Sequence, residues 1–159
     1  MPAYDSDALA GFDEFFGRIL AGLTPARRKA ATRKLGQALR RANLQRIAQN
    51  VQPDGTAMEP RKPRRDKRGR LKKKQGGKMF RQLRQARRWR IDARPDSVEI
   101  MPKTGANVAA IHHFGLEGTV GKDHEGNSIK VRFAQRRLLG FAPGDEKLAV
   151  DVAAELING

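Results

Sequence analysis

Between positions 61 and 90 the chain carries sixteen Lys and Arg against one acid, Asp66. Charge at that density cannot enter an interior, because unpaired cations withdrawn from water cost several kcal/mol each. The fold must therefore be built from the flanks. Positions 27 to 46 add eight more cations, Arg27, Arg28, Lys29, Arg33, Lys34, Arg40, Arg41 and Arg46, without an acid. Since the whole chain is only +16, what remains is net acidic. A net-acidic body carries a basic helix and a basic loop. The 159 residues, 38% of them hydrophobic, are enough for one core and hardly for two. We read residues 1–159 as a single domain with 58–77 as a mobile basic loop, because like charges repel and nothing in the run asks to be buried.

The chain has no cysteine, which excludes disulfides, thiolate metal sites and a cysteine nucleophile. It opens Met-Pro-Ala-Tyr-Asp, without a basic leader or a hydrophobic stretch, so neither a secretory signal nor a spanning helix is expected, and no membrane contact.

Apolar residues Leu9, Phe12, Phe16, Ile19 and Leu23 recur every three or four positions, the pattern of an amphipathic helix. Thr24-Pro25 supplies a cap and a first-turn proline for a second helix reaching about Asn50. Its apolar stripe, Ala31, Leu35, Ala38 and Ala42 with Ile47 beyond, is thin, and most of its circumference is basic. Gln52-Pro53-Asp54-Gly55 ends it in a turn. Lys78 to Arg88 reads as a short helix with Met79, Phe80, Leu83 and Ala86 on one side. Trp89, Ile91 and Ala93 then alternate with polar residues, as do Val98 and Ile100 after the Pro95-Asp96 turn, predicting a β-hairpin. Residues 107–114 are apolar but too short to assign to helix or strand. Glycines 115, 118, 121 and 126 punctuate a loop, Ile129, Val131 and Phe133 alternate as a strand, and Pro143-Gly144-Asp145-Glu146 opens a terminal helix. The sum is an α+β fold: an amino-terminal helical hairpin with a long basic helix, a small antiparallel sheet, a carboxy-terminal helix and a flexible basic loop.

No reactive centre is legible. His112 and His113 are adjacent, whereas helical metal ligands sit four apart. Gly115 to Asp123 resembles a phosphate loop only superficially, with Asp123 where a Ser or Thr is required. Asp145-Glu146 suit a helix dipole, and Ser6, Ser97 and Ser128 lack the setting of a nucleophile. We expect no enzyme, no cofactor and no metal. The basic run can bind phosphate polyanions or acidic protein surfaces. A free-standing nucleic-acid-binding protein is therefore one possibility, although Phe80 and Trp89 alone make no stacking platform for base-specific recognition.

Four features occur in order: the basic helix running into Ile47-Ala-Gln-Asn50-Val-Gln52-Pro53-Asp54-Gly55, the Arg/Lys-rich loop, Ala109-Ala-Ile111-His112-His113-Phe114-Gly115, and Arg136-Arg137-Leu138-Leu139-Gly140-Phe141-Ala-Pro-Gly-Asp145. Together they resemble the phage virion morphogenesis family, the tail completion proteins of contractile-tailed bacteriophages, over about residues 10 to 157. The resemblance implies a structural virion protein of the tail and neck, assembled in the host cytoplasm, that finishes the head-proximal end of the tail so that heads can join. It further implies a closed, homo-hexameric ring whose neighbours are tube, sheath and neck or connector proteins, with DNA in the lumen a possible contact. On that footing Arg27, Arg28, Arg33, Lys34, Arg40, Arg41, Arg61, Arg64, Arg65, Arg68, Lys72, Lys73 and Lys74 are candidate contacts to a partner or DNA. Leu138, Leu139, Phe141, His112 and Phe114 are candidate subunit-interface residues, with core packing the alternative for Leu138 and Leu139.

Overall fold

Thr24 and Pro25 start the helix around which the other elements are arranged. The computed structural model describes residues 6–63, 68–71 and 79–158. Helix α1, Ser6–Ala21, leads into α2, Pro25–Gln49. The Thr24 hydroxyl accepts from Arg27 N, Pro25 occupies the first turn, and Asn50 closes the helix in the left-handed region at φ 57°. These are the local signals the sequence carries, and they place both ends.

The buried face of α2 is wider than the expected stripe. Ala31, Thr32, Leu35, Gly36, Leu39, Asn43, Leu44 and Ile47 are buried, while Ala38 and Ala42 are only half-buried. The reason is that α2 is covered on two sides. On one, Ala31, Leu35 and Leu39 join Phe16 and Leu20 of α1 and Ala149 of the terminal helix α4, Asp145–Asn158. On the other lies the hairpin of β1, Trp89–Ala93, and β2, Val98–Pro102, paired antiparallel with Ile91 opposite Ile100. The hairpin comes so close that a Cβ on Gly36 would stand 2.5 Å from Val98 Cγ2 and 2.9 Å from Ile91 Cγ2. Thr32 Oγ1 donates to Arg94 O at 2.6 Å.

A second core cluster gathers Leu44, Ile47, Met58, Met79, Phe80, Leu83, Trp89, Ala109 and Leu138. Ile100 packs against both clusters and joins them. Helix α3, Ala106–Phe114, settles the undecided apolar segment as helix, set between Gly105 and Gly115 in left-handed conformation. Strand β3, Glu117–Lys122, then pairs antiparallel with β4, Ser128–Arg132, with an irregularity between Thr119 and Gly121. The antiparallel strands thus form two separate hairpins, and the glycine-punctuated loop is half of the second.

The helix expected over 78–88 is corrected. Residues 79–84 are turns, followed by one 3-10 turn at Ala86–Arg88; Lys78 lies outside the described residues. Phe80 adopts φ 57°, which no α-helix continues through, and the indole N–H of buried Trp89 donates to Leu83 O. The chain wraps Trp89 instead of coiling beside it. Met79, Phe80 and Leu83 are nonetheless buried. Among the described residues no helix is long and apolar enough to cross a membrane.

Candidate functional site

Residues 133–144 have no ladder of their own, so their backbone donors must find partners elsewhere. They find them in the motifs. Arg136 N donates to His112 O at 2.7 Å, Arg137 N to Gln52 Oε1 at 2.9 Å, Leu138 N to His113 Nδ1 at 3.2 Å, and Gly140 N to Asn43 Oδ1 at 3.0 Å. Pro53 presses on Gly140 from the turn, where an added Cβ would meet its Cγ at 2.7 Å. Arg137 forms an ion pair with Asp54, whose carboxyl is held below its usual range by hydrogen bonds from the Thr56 hydroxyl and backbone, with the Arg137 charge adding to them. The basic helix, the Pro-Asp-Gly turn, the His-His segment and the Arg-Arg-Leu-Leu-Gly segment, distant in sequence, are one stitched unit.

Two cations hold this unit inside the fold. Arg46 binds Asp145 through both terminal nitrogens, at 3.1 and 2.9 Å, and reaches Gly140 O at 3.3 Å. Asp145 Oδ2 also accepts from Ala142 N at 2.9 Å. The pair is nearly sealed from solvent and ties the end of α2 to the start of α4. Arg136 is buried, and among the described residues no carboxylate forms a salt bridge with it. It donates to Glu59 O at 2.6 Å, Pro60 O at 3.1 Å and Ala134 O at 3.4 Å, with His112 Nδ1 at 3.3 Å.

These surroundings favour the neutral form of His112 and His113. His112 has its pKa lowered by burial, then by Arg136 and Arg61; His113 is lowered by burial, then by Arg137. The His112 ring stands edge-on between Phe80 and Phe133, 4.9 Å from each. These are packing and hydrogen-bonding histidines.

Above the stitched unit lies an apolar groove of about 420 Å³ between α2, β2, α3 and residues 138–141. Leu138 is 1% exposed and is a core residue, which leaves it no surface for another subunit. Leu139 is half-buried and lines the groove, while Phe114 and Phe141 stand at its mouth, 58% and 40% exposed. His112 does not belong with them: it lies on the other side of α3, in a different depression.

On α2, Arg27, Arg33, Lys34 and Arg41 are exposed and Arg28 and Arg40 half-buried. Lys34 is engaged with Glu155 at 3.0 Å and Arg40 donates to Trp89 O at 3.3 Å, so two of the expected contact residues already serve the fold. Arg61 and Arg68 are exposed. Arg64, Arg65, Lys72, Lys73 and Lys74 lie outside the described residues, as does much of the loop expected over 58–77. At its near end Met58 is buried, its N–H bonded to Asn50 O at 2.7 Å.

Sequence reasoning missed Asn43, Gln52, Arg136 and the Arg46–Asp145 pair as organising residues. The only signal was that each stands in or beside a recognisable motif. The phage virion morphogenesis family matches residues 7–158. The chain belongs to that family. It is 30% identical over 145 residues to tail completion protein S of Escherichia phage P2, covering 89% of this chain and 91% of the relative. No solved structure matches it. Family membership gives the protein a structural role in the phage tail.

Proposed function

We propose that the protein completes the head-proximal end of the tail and thereby permits heads to join, as a closed ring of identical copies. The relative's role as a tail completion protein supports the first part. The observation that carries the second is the apolar groove flanked by Phe114 and Phe141, two large exposed side chains beside an unfilled depression. Such a patch marks a contact with another macromolecule, and a surface of this kind meeting a different surface of the next copy closes into a ring when the rotation permits. Leu139 contributes to the same face. The exposed cations of α2, with Arg61, Arg68 and the other cations of the basic loop, face acidic tube, sheath or neck proteins or DNA in the lumen.

Replacing Phe114 and Phe141 together by Ser tests the groove. Both are exposed, so the subunit keeps its fold, while light scattering on the purified protein and micrographs of tails show loss of the ring and an accumulation of headless tails. Unchanged assembly would remove the groove from the interface. Deleting residues 61–75 tests the loop. Residues 59 and 60, whose carbonyls hold Arg136, are retained, so the subunit folds and head joining fails; infectious particles at normal yield would show that the loop has no part in it.

A further inference from the structure

Helix α3 separates the apolar groove from a second, larger one. His113 and Phe114 face the first, while Val108 and His112 face the second, an open depression of about 1340 Å³. Its rim is cationic, with Arg61, Lys62, Arg81, Arg88 and Arg132 among its lining residues and Glu59 the one acid among the described residues that line it. Among the described residues no salt bridge engages Arg61, Lys62, Arg81 or Arg132, and all four are exposed. Its floor is apolar. Val108 of α3, Val120 of β3 and Val131 of β4 are exposed there, beside Phe80 and Phe133.

The floor decides the class of partner. A nucleic-acid backbone would satisfy the rim but brings nothing that gains from covering three valines. Stacking of bases needs open aromatic faces, and here Phe80 is buried and both Phe80 and Phe133 are engaged with His112. Carboxylates with aliphatic side chains between them complement rim and floor together. We propose that this groove binds an acidic, amphipathic segment of a partner protein. The proposal deepens the proposed function by giving the chemistry of one partner; its test reads binding to the isolated subunit, so its failure is separate from failure of the tail role.

The test uses the full chain and four probes: a short amphipathic peptide of Glu and Leu, its Glu and Ser counterpart of equal charge, a single-stranded oligonucleotide and a duplex. Binding is followed by fluorescence anisotropy at physiological salt. The Glu/Leu peptide binds at least about tenfold more tightly than the Glu/Ser peptide and displaces either nucleic acid. Arg81→Glu with Arg132→Glu weakens it about tenfold or more. Val108→Ser, on an exposed face of α3, and Val131→Ser, made separately so that one suffices if the other perturbs the hairpin, weaken the Glu/Leu peptide and leave the Glu/Ser peptide unchanged. Equal binding of the two peptides, or loss of binding only when residues 61–75 are removed, would assign the effect to diffuse charge and overturn the proposal. So would tighter binding of either oligonucleotide that depends on Arg81 and Arg132, or self-association that the same substitutions abolish.

Discussion

Asp145 shows how much of this molecule depends on single polar groups. Its carboxylate takes both Arg46 nitrogens and the Ala142 N–H, so removing it strands a cation that has almost no access to water. Breaking one side of a buried pair costs about 3 kcal/mol or more, far above the value of an exposed bridge. Asp145→Ala is expected to lower the unfolding free energy by about 3 kcal/mol in urea titration, Arg46→Ala by a similar amount, and the double variant by clearly less than the sum, because the stranded charge is then gone. The histidines set a second dependence. In the folded chain both have pKa values below their ordinary 6.5, so the unfolded chain binds protons first as pH falls. Their contribution is complete above pH 6.5 and is lost as pH drops through the folded values. Protonation also removes the acceptors for Leu138 N and Arg136. The lowered carboxyls of Asp54 and Asp123 act only below their ordinary 3.8, so the two windows separate. Thermal melts between about pH 7 and pH 5 should show a falling midpoint, and His112→Asn, which retains an acceptor for Arg136, should flatten the fall; a midpoint independent of pH in that range would count against neutral histidines.

Elements in this fold end where local chemistry says they should and meet where long-range geometry says they must. Gly36 separates the two effects. In an exposed helix Gly→Ala stabilises by about 1 kcal/mol, but here the new methyl would overlap Val98 and Ile91, whose branched side chains are stiff on a strand. Overpacking costs about 1–3 kcal/mol, so Gly36→Ala should destabilise, read as a lower denaturation midpoint; stabilisation would mean that the β1–β2 hairpin moves aside freely. Thr24-Pro25, Asn50 and the alternation of Trp89, Ile91, Val98 and Ile100 were legible because the signal and its effect lie within a few residues. β3 was not, since its Gly118 reads as a loop residue. A Cβ there would stand 2.9 Å from Ile111 Cδ1 and 3.0 Å from Phe133 Cε2, a requirement set by α3 and the residue after β4. The turns at 79–84 were missed for a similar reason: Met79, Phe80 and Leu83 have helical spacing, but Trp89 is the body they enclose. Of the candidate interface, Phe114, Leu139 and Phe141 show surface on one groove, whereas Leu138 backs that groove from the core and His112 faces the other one, because neighbours in an irregular segment or on a helix point in different directions and only the fold says which way.

At the scale of the molecule, a net charge of +16 opposes gathering copies into a ring, while an apolar groove and exposed phenylalanines favour it. The two terms respond oppositely to salt. Screening shortens the reach of repulsion between subunits from about 10 Å at 0.1 M to about 3 Å at 1 M ionic strength, and burial of apolar surface does not weaken over that range. Attachment through exposed cations to an acidic protein or to DNA depends on the attraction that salt removes. Self-association should therefore strengthen as salt is raised while attachment to an anionic partner weakens, so that at about 1 M the ring persists without its anionic neighbours. Sedimentation velocity of the isolated protein at low and high salt measures the first, and retention on an acidic peptide or duplex column measures the second. A ring that falls apart as salt rises would place subunit contacts on ion pairs, and the groove beside Phe114 and Phe141 would then not be what holds one copy to the next.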